Sequence, residues 1–161
     1  MRIFIAVRLT EEMKNSLAKI LAELRRQGVR GNFSHPDNLH LTLAFIGETS
    51  RLKEIHNAVG EVALSPFEIG LGKPGSFRDI LWLGISGEEQ MQSLASSLRE
   101  ALSRHGIYYD DKPFKAHITL ARGVNTERLP PLTVPPARMR VSRISIMKSE
   151  RVDGVLRYTE I

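Results

Sequence analysis

Hydrophobic and polar positions recur along the chain with two different periods, which predict strands and helices in turn. Strict alternation of polar and apolar residues, or a short apolar run between turn residues, indicates a β-strand. Apolar residues that recur every three or four positions indicate a helix. The predicted strands cover residues 2–8, 38–46, 67–71, 80–85, 114–122, 140–148 and 155–160, and the apolar helix positions lie within residues 13–24, 52–62 and 91–102.

Capping and turn residues separate these elements. Thr10 is expected to cap the first helix and Gly28 to end it, while Gly106 is expected to close the third helix. Two segments without periodicity, Gly72–Ser76 and Leu129–Pro136, are predicted to be loops. The elements therefore follow a strand–helix–strand order that occurs twice along the chain.

Each of these two units ends on a strand with the same alternation of polar and apolar residues. The segments are HLTL from His40 and HITL from His117, and they begin 77 positions apart (117 minus 40). The repetition predicts an α+β fold of two similar lobes related by pseudo-two-fold symmetry, each lobe an antiparallel sheet with outer helices. Residues 1–161 would then form a single bilobal domain, with both segments facing an active-site cleft between the lobes.

The repeated segments place acid–base groups beside hydroxyls. In a strand, side chains two residues apart share a face, so His40 lies with Thr42 and His117 lies with Thr119. One such segment is typical of a solvated strand face, whereas two in matched positions favour a shared site. Imidazoles exchange protons near neutral pH, and hydroxyls stabilise developing negative charge. Arg122, at the end of the second strand, could bind a phosphate through two parallel hydrogen bonds.

Composition narrows the function classes. The chain has 161 residues, 42% hydrophobic and 25% charged, which is typical of one globular domain. It has no cysteine, so disulfides, thiolate metal sites and a catalytic thiol are excluded. The opening apolar run is too short for a signal peptide or a membrane span, and we expect a cytoplasmic protein with no membrane partner. A net charge of +5 agrees with a phosphate-bearing substrate but does not require one.

Four stretches of the sequence resemble one known family. They are MRIFIAV at the start, NLHLTLAFIGE around His40, SFRDILWLG from Ser76, and HITLAR from His117. In this order they are similar to the 2H phosphoesterase superfamily, which is defined by two His-x-Thr/Ser motifs. Within it, the chain most resembles the RNA 2′,3′-cyclic phosphodiesterases, also called 2′-5′ RNA ligase-like proteins. Ala116 stands where many members have a proline, and no reactive group is lost by this difference.

The resemblance implies hydrolysis of RNA 2′,3′-cyclic phosphate ends to 2′-phosphomonoesters, with no metal or other cofactor. His40 would be the proton donor and His117 the proton acceptor, while Thr42 and Thr119 would hold the phosphate oxygens and Arg122 would assist. The residues alone do not distinguish the two histidines. The expected partners are RNA ends, tRNA fragments among them, or nucleotides, and the expected state is a monomer.

Other residues have more ordinary interpretations. Phe77 and Arg78, near a predicted loop, are expected either to bind substrate at the rim of the cleft or to pack structurally. Trp82 could also stack on a base or contact phosphate, but its apolar strand favours a place in the core. A zinc site is not favoured, because no carboxylate stands at ligand spacing beside His40 or His117. Structural or surface roles are expected for the remaining histidines and for three late basic residues, namely His35, His56, His105, Arg140, Arg143 and Lys148. His35 could instead lie at the edge of the site, and the three basic residues could add positive potential.

Two alternatives remain open from the sequence. The same site could act as a phosphodiesterase or 2′-5′ ligase on small cyclic phosphates or tRNA halves. In a different class, the chain could be a non-catalytic module that binds RNA phosphate ends. The duplicated histidine disfavours this second alternative, because permanently charged arginine or lysine would serve binding better.

Overall fold

The computed structural model describes all residues of the chain, 1–161, as nine strands, three α-helices and one short 3-10 turn. No helix is long and apolar enough to cross a lipid bilayer. The helices are α1 (Glu11–Arg26), α2 (Leu52–Gly60) and α3 (Glu88–Arg104), and the 3-10 turn is Pro36–Asn38. The strands are β1 (Arg2–Arg8), β2 (Asn32–Phe33), β3 (His40–Glu48), β4 (Phe67–Phe77), β5 (Ile80–Ile85), β6 (Ile118–Arg122), β7 (Arg138–Val141), β8 (Ser145–Val152) and β9 (Val155–Glu160).

The strands form two antiparallel sheets, which confirms the predicted α+β fold with two sheets. The first sheet has the order β3-β1-β8-β9, and the second has the order β2-β6-β5-β4-β7. The two strands with the repeated motifs, β3 and β6, belong to different sheets and contact each other. The sheets therefore meet where the His-Thr segments lie. The assignment of the whole chain to one domain stays a prediction.

Alternation along β1 explains how the first sheet buries both of its faces. Ile3, Ile5 and Val7 enter a core of 36 buried residues that includes side chains from both sheets and all three helices. Phe4 and Ala6 point the other way into a separate small cluster. Burying a large aliphatic or aromatic side chain contributes about 1.5–3 kcal/mol, so both faces hold this strand in place.

The helix boundaries follow the predicted capping residues. The Thr10 hydroxyl accepts a hydrogen bond from the Met13 backbone N–H at 3.3 Å, which satisfies one free donor of the first turn of α1. Gly28 follows the end of this helix with φ of +80°, a conformation that favours glycine. Gly106 has φ of +65° after α3. These local predictions are confirmed.

The predicted loop at Gly72–Ser76 is wrong, because these residues belong to strand β4. A bulge between Leu71 and Pro74 accommodates the proline in the strand. The glycines serve close packing rather than a turn. A Cβ at Gly72 would lie 2.9 Å from the Gly84 backbone, and one at Gly75 would overlap the Trp82 ring.

Two predicted strands also have different limits. The single strand expected at 140–148 is divided, because β7 pairs with β4 in the second sheet and β8 pairs with β1 in the first. The strand expected at 114–122 begins only at Ile118, where the pairing with β5 ends at Leu83. The two-residue strand β2 on the other edge of β6 was not predicted, because two residues carry no periodic signal.

Candidate active site

His40 lies at the start of β3 and is held from two sides. Its Nδ1 lies 2.7 Å from the Asn38 carbonyl oxygen and its Nε2 lies 2.7 Å from the Thr42 hydroxyl. Since a carbonyl can only accept, Nδ1 carries a proton, and in the neutral ring Nε2 accepts from Thr42. The rings of Phe4 and Tyr158 lie 4.8 and 5.1 Å from the imidazole. Both the tautomer and the orientation of His40 are therefore set by the protein.

The Asn38 contact links His40 to the last strand of the chain. The side-chain amide of Asn38 donates to the Leu156 carbonyl in β9 at 2.9 Å, while its own backbone carbonyl binds the imidazole. The 3-10 turn before it is capped by His35, whose Nδ1 accepts from the Asp37 backbone N–H. His35 thus has the turn role that the sequence favoured.

His117 is oriented by the same kind of bond but keeps its second nitrogen free. Its Nδ1 lies 2.6 Å from the Lys115 carbonyl oxygen, so this nitrogen is the donor in the neutral ring. Phe77 lies edge-on at 5.2 Å between ring centroids, and Trp82 lies at 6.0 Å. Its Nε2 has no hydrogen-bond partner in the protein. The lone pair of Nε2 is therefore available to a substrate or to water.

The electrostatics of the two histidines are coupled across the sheets. Burial lowers the pKa of His40, the bond to Asn38 opposes this effect, and the charges of His117 and Arg122 lower the pKa further. Burial also lowers the pKa of His117, again opposed by its backbone bond, and Arg122 and Lys115 add to the lowering. Both rings are therefore mostly neutral at pH 7 in the free protein.

Of the other predicted site residues, Thr119, Arg122 and Phe77 lie near this pair. Thr119 is half-buried, and its hydroxyl makes no hydrogen bond within the protein, in contrast to that of Thr42. Arg122 ends β6 with an exposed side chain. Phe77 is 40% exposed at the end of β4, and its neighbour Arg78 occupies the following turn with φ of +52°. The structure therefore brings Phe77 to His117 and leaves Arg78 at the exposed turn.

The expectation that Trp82 lies in the core is wrong. It is half-buried beside His117 and Phe77, and Lys115 Nζ lies 5.7 Å from its ring centroid. Its indole nitrogen is buried without a hydrogen-bond partner. The six-membered ring lies over Gly75, where no side chain occupies the space, and so remains on the cleft side of β5.

Sequence reasoning missed four residues that shape the site. Phe4 and Tyr158 contact His40, while Asn38 and Lys115 orient the two imidazoles through their carbonyls. The apolar run that includes Phe4 indicated a strand, but nothing in the sequence showed what covers it. Burial raises the pKa of Tyr158, so its hydroxyl stays protonated and can donate a hydrogen bond.

The last two histidines, His56 and His105, lie on α2 and directly after α3. His105 Nε2 lies 2.7 Å from the Glu61 carboxylate at the end of α3. His56 is exposed on α2. Both observations confirm the structural or surface roles expected for them. No three histidine or carboxylate side chains come together in a metal-binding arrangement.

Replacing Gly75 with alanine is expected to displace the indole of Trp82 and to lower the free energy of unfolding by about 1–3 kcal/mol. A methyl group there would overlap the ring. Trp82 is the only tryptophan of the chain, so its fluorescence and a denaturant titration measure both effects. Gly60→Ala is the control, because nothing lies within 4 Å of its added methyl group. Unchanged emission and stability in Gly75→Ala would contradict the packing described.

Comparisons with known proteins agree on one family. The 2′-5′ RNA ligase superfamily matches residues 13–153. An Archaeoglobus fulgidus protein named RNA 2′,3′-cyclic phosphodiesterase is 39% identical over an alignment 131 positions long, which covers 76% of this chain and 72% of that protein. An Escherichia coli (strain K12) protein of the same name is 30% identical and covers 87% of this chain and 88% of its own length.

Solved structures show the same likeness over nearly the whole chain. The apo crystal structure of E. coli LigT has a TM-score of 0.83 at 30% identity, and covers 99% of this chain and 94% of LigT. The Thermus thermophilus protein TT0787 has a TM-score of 0.80 at 29% identity, and covers 100% and 95%. With its fold, its paired His-Thr segments and these matches, the chain belongs to the 2′-5′ RNA ligase superfamily.

Proposed function

We propose that this chain hydrolyses RNA 2′,3′-cyclic phosphate ends to 2′-phosphomonoesters without a metal ion. The names of its relatives support the activity. The observation that carries the mechanism is the unequal bonding of the two imidazoles. His117 Nε2 is free, whereas His40 Nε2 is already engaged with the Thr42 hydroxyl.

In the proposed first half of the step, His117 activates water. Its Nδ1–H is held by the Lys115 carbonyl, so the Nε2 lone pair is the proton acceptor. As water oxygen forms a bond to phosphorus, its proton passes to Nε2. The low pKa of His117 keeps this ring neutral and ready to accept at pH 7.

In the second half, protonated His40 gives its Nε2 proton to the departing 3′ oxygen as the phosphorus–oxygen bond breaks. The products are a 2′-phosphomonoester and a free 3′ hydroxyl, and solvent returns the two imidazoles to their starting protonation states. The phosphate anion favours the protonated form of His40 once substrate is bound. Its bond to Asn38 leaves only Nε2 to face the substrate.

The non-bridging oxygens of the phosphate are assigned to three donors. Thr42 and Thr119 each follow a histidine by two residues, so their hydroxyls share its face of the strand. The Arg122 guanidinium adds permanent positive charge, and its influence on the pKa of both histidines supports its place beside them. Fixed donors aimed at the developing charge are worth several kcal/mol in such sites.

Product analysis tests this function. An RNA oligonucleotide with a 2′,3′-cyclic phosphate is incubated with the protein and excess chelator. Opening of the ring is detected by mass spectrometry, and a 2′-phosphate is distinguished from a 3′-phosphate by its resistance to a phosphomonoesterase specific for 3′-phosphates. We expect complete conversion to the 2′-phosphomonoester at an undiminished rate. No turnover would indicate a phosphate-end binding module, and loss of rate with chelator would contradict metal independence.

The same assay addresses the remaining alternatives. Accumulation of 2′-5′ linked product from two RNA fragments would identify ligation as the main reaction. Faster turnover of a small cyclic phosphate than of RNA would indicate a small-molecule substrate. A cytoplasmic location, a monomeric state and a single domain over residues 1–161 stay predictions.

A further inference from the structure

The face of the first sheet that carries His40 extends beyond the catalytic residues. In the β1–β3 pairing, Ala6 lies opposite Thr42 and Arg8 lies opposite His40. Directly paired residues on antiparallel strands project from the same face of a sheet. Ala6 belongs to the small cluster that lies outside the main core, and Arg8 follows it by two residues. Arg8 is therefore the cross-strand neighbour of His40 on the cleft face.

Two arginines on this face are held by one carboxylate. Arg8 Nη1 lies 3.2 Å from Glu160 Oε1, and Arg143 Nη2 contacts Glu160 Oε2. Arg143 also donates to the Ser145 hydroxyl at 3.2 Å. Glu160 follows Tyr158 by two residues in β9, so it shares the face of the ring that contacts His40. We call Arg8, Arg143 and Glu160 the arginine cluster.

The arginine cluster keeps positive charge and free donors. Its two guanidiniums outnumber the single carboxylate, which leaves one net positive charge. The side chains of Arg8 and Arg143 are 50% and 60% exposed, against 28% for Glu160. Each guanidinium has five N–H donors, and the contacts above use only some of them. Arg143 with its neighbours lowers the pKa of Glu160 to about 2, so the carboxylate orients both arginines at neutral pH.

We propose that Arg8 and Arg143 bind a backbone phosphate of the RNA chain next to its cyclic end. This inference rests on the proposed function and deepens it, because it selects oligonucleotides over mononucleotides as substrates. Adjacent strands lie about 4.8 Å apart, so the two spacings from β3 across β1 to β8 place the backbone of β8 roughly 10 Å from that of His40. In a dinucleotide with a cyclic end, the backbone phosphate can reach the arginine cluster while the cyclic phosphate lies at His40. A cyclic mononucleotide has no second phosphate to place there.

The geometry favours binding over a purely stabilising ion pair. Exposed ion pairs contribute only about 0–1 kcal/mol to stability, so stability gives little reason for two arginines on one carboxylate. Arginine forks suit phosphate through paired hydrogen bonds. Arg138 provides a contrast, since it makes an ordinary exposed pair with Glu68 at 2.9 Å in the second sheet.

The test compares the hydrolysis of two substrates over a series of salt concentrations. The oligonucleotide with a 2′,3′-cyclic phosphate end carries backbone phosphates, and 2′,3′-cyclic AMP does not. The ratio measured is kcat/KM for the oligonucleotide divided by kcat/KM for 2′,3′-cyclic AMP. We expect the double variant Arg8→Ser/Arg143→Ser to lower this ratio about tenfold. For the oligonucleotide, the plot of log kcat/KM against log salt concentration has a negative slope. In the double variant this slope should become shallower by about 0.7, the value for one phosphate contact on a single strand.

Two further variants keep the result interpretable. Arg143→Ser alone is expected to lower the ratio about threefold, and it leaves the neighbour of His40 intact. Arg138→Ser is the matched control and should change neither the ratio nor the salt slope. An unchanged ratio in both cluster variants, or an equal loss on both substrates, would overturn the proposal. If the wild-type protein hydrolysed neither substrate, the proposed function itself would be refuted.

Discussion

Replacing His117 with asparagine is expected to lower kcat on a 2′,3′-cyclic phosphate oligonucleotide by about 10²–10⁴-fold, the usual contribution of a positioned general base. Asparagine can still donate a hydrogen bond to the Lys115 carbonyl but cannot accept the proton of water. The measurement is kcat from steady-state kinetics at saturating substrate. His105→Asn is the control, since His105 binds Glu61 outside the cleft.

The pH profile separates loss of the base from loss of structure. The base works only when neutral, and burial lowers the pKa of His117 below its ordinary value of 6.5. On the acid side, wild-type kcat/KM should therefore decline only below pH 6.5, as the pH passes through the lowered pKa of His117. The residual activity of His117→Asn should lack this decline. An unchanged acidic limb in the variant would refute His117 as the base.

Replacing His40 with asparagine is expected to cause a similar loss on the natural leaving group, because the departing 3′ oxygen then leaves as an alkoxide without a proton. The requirement for an acid weakens when the leaving group is itself stable as an anion. On a nucleoside phosphodiester with a 4-nitrophenolate leaving group, the His40→Asn variant should lose less than about tenfold, since protonation contributes little there. The comparison is made by kcat for both substrates.

The same pair of substrates assigns the two roles. His117→Asn should remain strongly impaired on the nitrophenyl ester, because attack by water still needs a base. If His117→Asn were rescued and His40→Asn were not, the acid and the base would be exchanged. Equal loss of both variants on both substrates would point to damaged phosphate binding rather than to proton transfer.

Short-range pattern was enough to identify the paired His-Thr segments and to place each histidine beside its threonine. The period of two along a strand relates His40 to Thr42 and His117 to Thr119 without knowledge of the fold. The doubling of this pattern predicted that two strands share a cleft, and the contact between β3 and β6 agrees with this. Arg122 followed in the same way from its position at the end of a strand.

Contacts between distant parts of the chain were beyond the sequence pattern. Tyr158 contacts His40 across two other strands, and no local feature of β9 indicates this order of strands. Trp82 was assigned to the core because its neighbours are apolar, although Gly75 opposite it makes room for the ring on the cleft side. The glycines of β4 suggested a loop for the same reason, since flexibility and close packing require the same residue.

The order of strands in the first sheet has a consequence for the synthesis of the protein. β1 is made first, but it lies between β3 and β8, and β9 supplies both Tyr158 and the carbonyl that anchors Asn38. Pairing between remote segments forms slowly, because the chain loses entropy when a long loop closes, before any stabilising contact forms. The surroundings of His40 are therefore incomplete until residues 145–160 have left the ribosome and β8 and β9 have paired with the first strands.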